Sequence, residues 1–139
     1  AELFLYTWPE WPIQDALRRS PVVDLAPAIA RYQAALTHDA TNATANRRLG
    51  QIALSRGERT QARYWLEAAY ARQPEHRATR LLLGEVYALD GEPAQAAALW
   101  RTLDLSLGQL DGRRWWIEAT GTPADVAAFD AAVALLREK

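Results

Sequence analysis

Few side chains in this sequence are of catalytic type, and their spacing does not bring them together. The two histidines, His38 and His76, stand 38 residues apart. Neither belongs to the close helical pairs by which two imidazoles reach one metal, so both read as helix-end or surface residues. Asp104, Asp111, Glu118 and Asp125 are spread like solvated charges. Cysteine is absent, which removes disulfides and thiolate metal sites. Each glycine follows or interrupts a helical pattern instead of opening a helix after a strand, so no phosphate-cradling loop is present. The Arg113-Arg114 pair beside Trp115-Trp116 has two readings: it holds an anionic group, or its stems cover apolar surface. The chain is therefore read as a non-enzyme without cofactor or metal, and the chemistry left to it is recognition.

Six tryptophans are many for 139 residues, and Trp8, Trp11, Trp115 and Trp116 carry most of the interest. Either these rings close the ends of a helical core, or they form an exposed platform for carbohydrate or peptide. Near the start, Phe4, Tyr6 and Trp8 alternate with Leu3, Leu5 and Thr7, which suits an extended segment laid over a helical surface.

Composition sets the frame for these residues. Half the chain is hydrophobic, with 28 alanines, so closely packed helices are the first expectation. A net charge of −1 implies no general attraction to nucleic acid or anionic membrane. No apolar run approaches the ~20 residues needed to insert in a bilayer. The chain begins at Ala1 without a basic stretch followed by an apolar one, which reads as the cut or processed start of a longer protein. The compartment stays open between cytoplasmic and extracytoplasmic.

Displacing the sequence by 34 residues lays Leu49-Gly50 on Leu83-Gly84, Gly57-Glu58 on Gly91-Glu92, and Gln61-Ala62 on Gln95-Ala96. Gly50 and Gly84 interrupt helical apolar patterns at a cost of about 1 kcal/mol each, which demands a steric reason. Each is expected to meet Ala62 or Ala96 at a helix crossing, with Leu66 or Trp100 filling the space one turn on. Gly57 and Gly91 occupy left-handed stops, and Glu58 and Glu92 then fall in the first turn of the next helix. Helices are expected near 43–56, 59–72, 77–90 and 93–104.

These positions resemble the tetratricopeptide-repeat (TPR) family, whose unit is ~34 residues of helix–turn–helix. In the first unit the family's pattern falls on Leu49, Gly50, Gly57, Ala62, Leu66, Ala69 and Pro74. In the second it falls on Leu83, Gly84, Tyr87, Gly91, Ala96, Trp100 and Leu103. The second unit departs at its end, where Gly108 replaces proline, and both lack the early tryptophan, having Asn46 and Arg80 there. The resemblance implies an all-α, TPR-like solenoid with two good repeats, 43–76 and 77–110. Degenerate capping pairs flank them: an aromatic and proline-rich cap over 1–23, a helix within 24–42, and a shortened repeat over 111–139, all within one domain.

The resemblance also implies that first helices line a concave groove. At spacings of three, four and three residues, Thr44, Arg47, Gln51 and Leu54 share one face, and Ala78, Leu81, Glu85 and Ala88 the next. With Leu82 and Leu89 alongside, this groove is the expected contact for a protein or peptide partner, as an amphipathic helix or extended segment. Two alternatives stay open: the aromatic N-terminus fills the groove, or those residues are simply solvated. Arg47 and Gln51 partly resemble the first half of the TPR carboxylate clamp, but Leu82 stands where its asparagine is needed.

At the flanks, Asp24 can cap a helix running to about Leu36, with Pro27 in its first turn and a shorter helix before it over 12–19. Gly121 to Phe129 copies Gly91 to Leu99 at an offset of 30, so the third unit is expected to shorten its first helix by about four residues. Thr122, Pro123 and Asp125 then start a last helix to Arg137. Its Val126, Phe129, Val133 and Leu136 leave a partly open end suited to self-assembly, possible as a homodimer. A narrower resemblance, carried by the chain start and the tryptophan content, is to the TPR tail of bacterial membrane proteins of surface-polysaccharide assembly, which lies outside the cytoplasm.

Overall fold

The structure, a computed structural model, describes residues 24–103 and 107–138. The N-terminal cap expected over 1–23, with its aromatic stretch and short helix, lies outside the described residues, as does Asp104. Among the described residues the chain is all-α, with seven helices and no strand. They are α1 (Ala26–His38), α2 (Ala43–Ser55), α3 (Arg59–Arg72), α4 (Arg77–Leu89), α5 (Pro93–Arg101), α6 (Leu107–Thr120) and α7 (Pro123–Arg137). They fall into two compact units, Ala1–Thr79 and Arg80–Lys139, with the division inside the first turn of α4.

In the first unit, α2 packs against both α1 and α3. Tyr32, Ala45, Leu49 and Ile52 form its buried centre, with Leu25, Ala28, Ile29, Ala35, Leu36 and Trp65 packed around them. Asp24 accepts from the Ala26 amide at 2.9 Å, one residue earlier than an ordinary N-cap, and Pro27 sits in the first turn of α1. Asn42 caps α2 by accepting from the Ala45 amide at 3.0 Å.

The turns repeat in atomic detail. Gly57 and Gly91 have φ of 75° and 79°, a left-handed conformation open to glycine without strain. Their amides bond to Leu54 O and Ala88 O, and the amides of Glu58 and Glu92 bond to Ala53 O and Tyr87 O, so the last carbonyls of α2 and α4 are satisfied in the same way. Glu58 and Glu92 are the residues just before α3 and α5, not members of the first turn as expected.

The glycine crossings form, with a different partner. A β-carbon on Gly50 would lie 2.6 Å from Leu66 Cγ, and one on Gly84 would lie 2.7 Å from Trp100 Cε2. The glycines therefore make room for the bulky residue directly, while Ala62 and Ala96 are fully buried without being the nearest contacts.

The period slip is also placed differently. Helix starts advance by 34 residues from α2 to α4 and from α3 to α5, and by 30 from α4 to α6 and from α5 to α7. The first helix of the third unit, α6, keeps 14 residues, whereas α5 has 9 against the 14 of α3. The lost residues thus come from α5. Its end is held by side chains: Arg80 Nε and the Thr102 hydroxyl both donate to Leu99 O, at 3.2 and 3.3 Å, and Arg80 Nη2 donates to Thr102 Oγ1 at 2.5 Å. Thr122 and Asp125 form the expected capping box at the start of α7.

Candidate functional site

Six of the eight residues assigned to a ligand groove are buried: Arg47, Gln51, Leu54, Leu81, Glu85 and Ala88. Ala78 is half-buried, and Thr44 alone is exposed. Their polar members are engaged by the chain itself. Arg47 Nη1 approaches His76 Nε2 at 3.1 Å, and Arg48 Nη1 donates to Gln51 Oε1 at 3.3 Å. On the other side of the ring, the Thr79 amide donates to His76 Nδ1 at 3.4 Å, and the Thr79 hydroxyl lies 3.4 Å from the same nitrogen.

Burial pushes the His76 pKa below its ordinary 6.5, and the charges of Arg47 and Arg48 push it the same way. The folded value lies below the unfolded one, so the unfolded chain binds the extra proton as pH drops. His76 therefore contributes stability fully above about 6.5, and that stability is lost as pH falls through the folded value. The melting temperature of the wild type is expected to drop between about pH 7.5 and about pH 5.5, and that of His76→Gln to drop less. Parallel melting curves for the two proteins would contradict this.

In the second unit, Glu85 on α4 is held by Arg113 on α6. Arg113 Nε donates to Glu85 Oε1 at 2.5 Å and Nη2 to Oε2 at 2.9 Å, with the side chains 1% and 2% exposed. Next to it in sequence, Arg114 Nε and Nη2 take Asp130 at 2.8 and 3.1 Å, and Nη1 takes Glu118 at 2.9 Å. These carboxylates, Asp130 foremost, raise the Arg114 pKa. Both arginines of the pair are thus committed to carboxylates of this chain. The tryptophans after them split, with Trp116 buried and Trp115 45% exposed, so they do not make a two-ring platform.

Carrying the repeat spacing forward from Gly50 and Leu66 gives Gly84 and Trp100, then Arg114 and Asp130. The last pair of helices replaces a glycine–bulky crossing with a two-point ion pair. Beside that pair lies an open groove of about 370 Å³ between α6 and α7. Leu110, Phe129, Val133 and Ala134 supply apolar surface, and Asp111, Arg114, Asp130 and Arg137 supply charge. Phe129 is buried and packs on Trp100 at 5.5 Å between ring centroids, while Val126, Val133 and Leu136 stay half-buried. A second cavity, of about 340 Å³ in the first unit, is lined by Ala40, Thr41, Ala68, Ala71 and Arg72 and offers a partner little direction. The α6–α7 groove, with apolar and charged groups together, is the better recognition surface.

Among the described residues no three His, Asp or Glu side chains are grouped to hold a metal ion, and no helix is long and apolar enough to cross a membrane. No protein-family model matches the sequence, and neither does any curated protein or solved structure.

Proposed function

We propose that the chain is a protein- or peptide-recognition module built on TPR-like helical repeats, with the α6–α7 groove as the surface that takes the partner. The observation that carries this reading is the contrast between the two candidate faces. Recognition through the inner faces of α2 and α4 would require Arg47, Gln51, Leu54, Leu81, Glu85 and Ala88 to leave buried surroundings. The α6–α7 groove needs no such rearrangement, because half-buried Val133 and exposed Ala134 and Asp111 already meet solvent. An amphipathic helix, with apolar anchors toward Leu110 and Val133 and charged flanks toward the rim, fits that chemistry.

Affinity capture compares the wild type with Val133→Glu, which puts charge on the groove floor, and with Gln33→Glu, on the exposed side of α1. The expected result is one or more partners held by the wild type and by Gln33→Glu, with recovery lowered at least about tenfold for Val133→Glu while circular dichroism stays native. Equal recovery by all three proteins would reject the groove. Absence of any specific partner would reject recognition itself.

A further inference from the structure

We infer that the occupant of the α6–α7 groove is a second copy of this chain, docked about a two-fold axis running along the groove; this rests on the recognition reading above and names its partner. The rim of the groove carries the charges that select this occupant. Gly121 and Thr122 alone separate α6 from α7, so the two helices run antiparallel. Asp111, near the start of α6, and Arg137, at the end of α7, therefore lie at the same end of the hairpin, and both line the groove from opposite helices.

The other two rim charges, Arg114 and Asp130, are matched to each other. The side chains of Asp111 and Arg137 make no hydrogen bond or ion pair with the described residues. The rim thus leaves one acid and one base unmatched, an arrangement that two copies can satisfy mutually. A two-fold axis along the groove sets α6 of one copy over α7 of the other. Asp111 then faces Arg137 of the second copy, and Arg137 faces Asp111, so the same pair forms twice in an isologous contact. The apolar strips of Leu110, Val133 and Ala134 meet between the two pairs, completing an antiparallel four-helix layer.

Charge and size agree with this. At a net charge of −1 the two copies repel each other weakly. At 1.5 Å per residue α6 and α7 are about 21 and 22 Å long, and two such helices side by side present a face at the small end of specific interfaces. A micromolar dimer is expected, not an obligate one.

The test is sedimentation velocity on the full 139-residue chain over about 1–300 µM, the range that brackets a micromolar constant. The wild type is expected to shift from monomer to dimer. Asp111→Arg alone and Arg137→Asp alone are each expected to weaken dimerisation at least about tenfold, because like charges then oppose each other at both contacts. Mixed in equal amounts, the two variants are expected to recover dimers, since each supplies the charge the other lacks. A wild type that stays monomeric throughout overturns the inference, and so do single variants that dimerise unchanged or a mixture no better than its components. If the monomeric result comes with continued groove-dependent capture of another protein, the recognition reading stands and only this occupant falls.

Discussion

Glu85→Ala is expected to lower unfolding stability by about 3–5 kcal/mol, the range for removing one partner of a buried ion pair. The carboxylate and the Arg113 guanidinium are held at two points, 2.5 and 2.9 Å, with almost no solvent on either. Deleting the carboxylate removes the two-point counter-charge of a buried guanidinium that cannot shed its proton, so the cost is a cation whose charge is no longer balanced in a dry site. Arg113→Ala is expected to cost a similar amount by stranding the carboxylate, although a carboxylate can relieve part of the penalty by taking up a proton. The paired change Glu85→Leu with Arg113→Leu should lose far less than the two single losses added together, because no charge is left buried. Guanidinium titration of the four proteins checks this. Losses below about 1 kcal/mol for either alanine variant would place the pair in the exposed class and refute its burial. Against a total of about 5–15 kcal/mol for a typical domain, the expected loss is a large share of what keeps the chain folded.

The same pair marks where sequence reasoning stopped. Helix positions and turns were legible because they depend on local chemistry: a left-handed glycine stop, a threonine cap with its aspartate, and bulky residues recurring at fixed spacing. The 34-residue displacement found both glycine crossings for that reason. It does not reveal how deeply the polar side chains of α2 and α4 are buried, since such residues at helical spacing look solvated unless their partners are known. Glu85 and Arg113 are 28 residues apart, a separation with no place in the repeat.

Aligning the third unit could have exposed the pair. Arg113 occupies the position held by Leu49 and Leu83, and an arginine in a leucine position requires a buried acid. Arg114 and Asp130, in the places of Gly84 and Trp100, carry the same kind of signal: two departures from the repeat that make sense only together. The shortened helix was misplaced because an offset measured at Gly121 records how many residues were lost upstream, not where. The loss lies at the end of α5, where Arg80 and Thr102 replace a further turn of backbone bonding.

The second large effect is expected at the crossing of α4 and α5, where size and shape are coupled. Trp100 is fully buried, donates its indole N–H to Leu81 O at 3.1 Å and packs on Phe129. Trp100→Ala should cost about 3–5 kcal/mol, from lost burial and the cavity left behind. Gly84→Ala approaches the same contact from the other side: its new β-carbon would sit 2.7 Å from Trp100 Cε2, a distance that forces the ring or the helix to move. That overpacking should cost about 1–3 kcal/mol, even though alanine is the better helix former by about 1 kcal/mol. Once the ring is gone the obstruction goes with it, and the gain in helix propensity should surface. Gly84→Ala introduced into Trp100→Ala is therefore expected to be neutral or stabilising, reversing its sign between the two backgrounds. A double-mutant cycle by denaturant unfolding measures this coupling. If Gly84→Ala costs the same with and without the indole, the glycine is retained for some reason other than the approach of Trp100, and the repeated small-against-large crossing loses its physical basis.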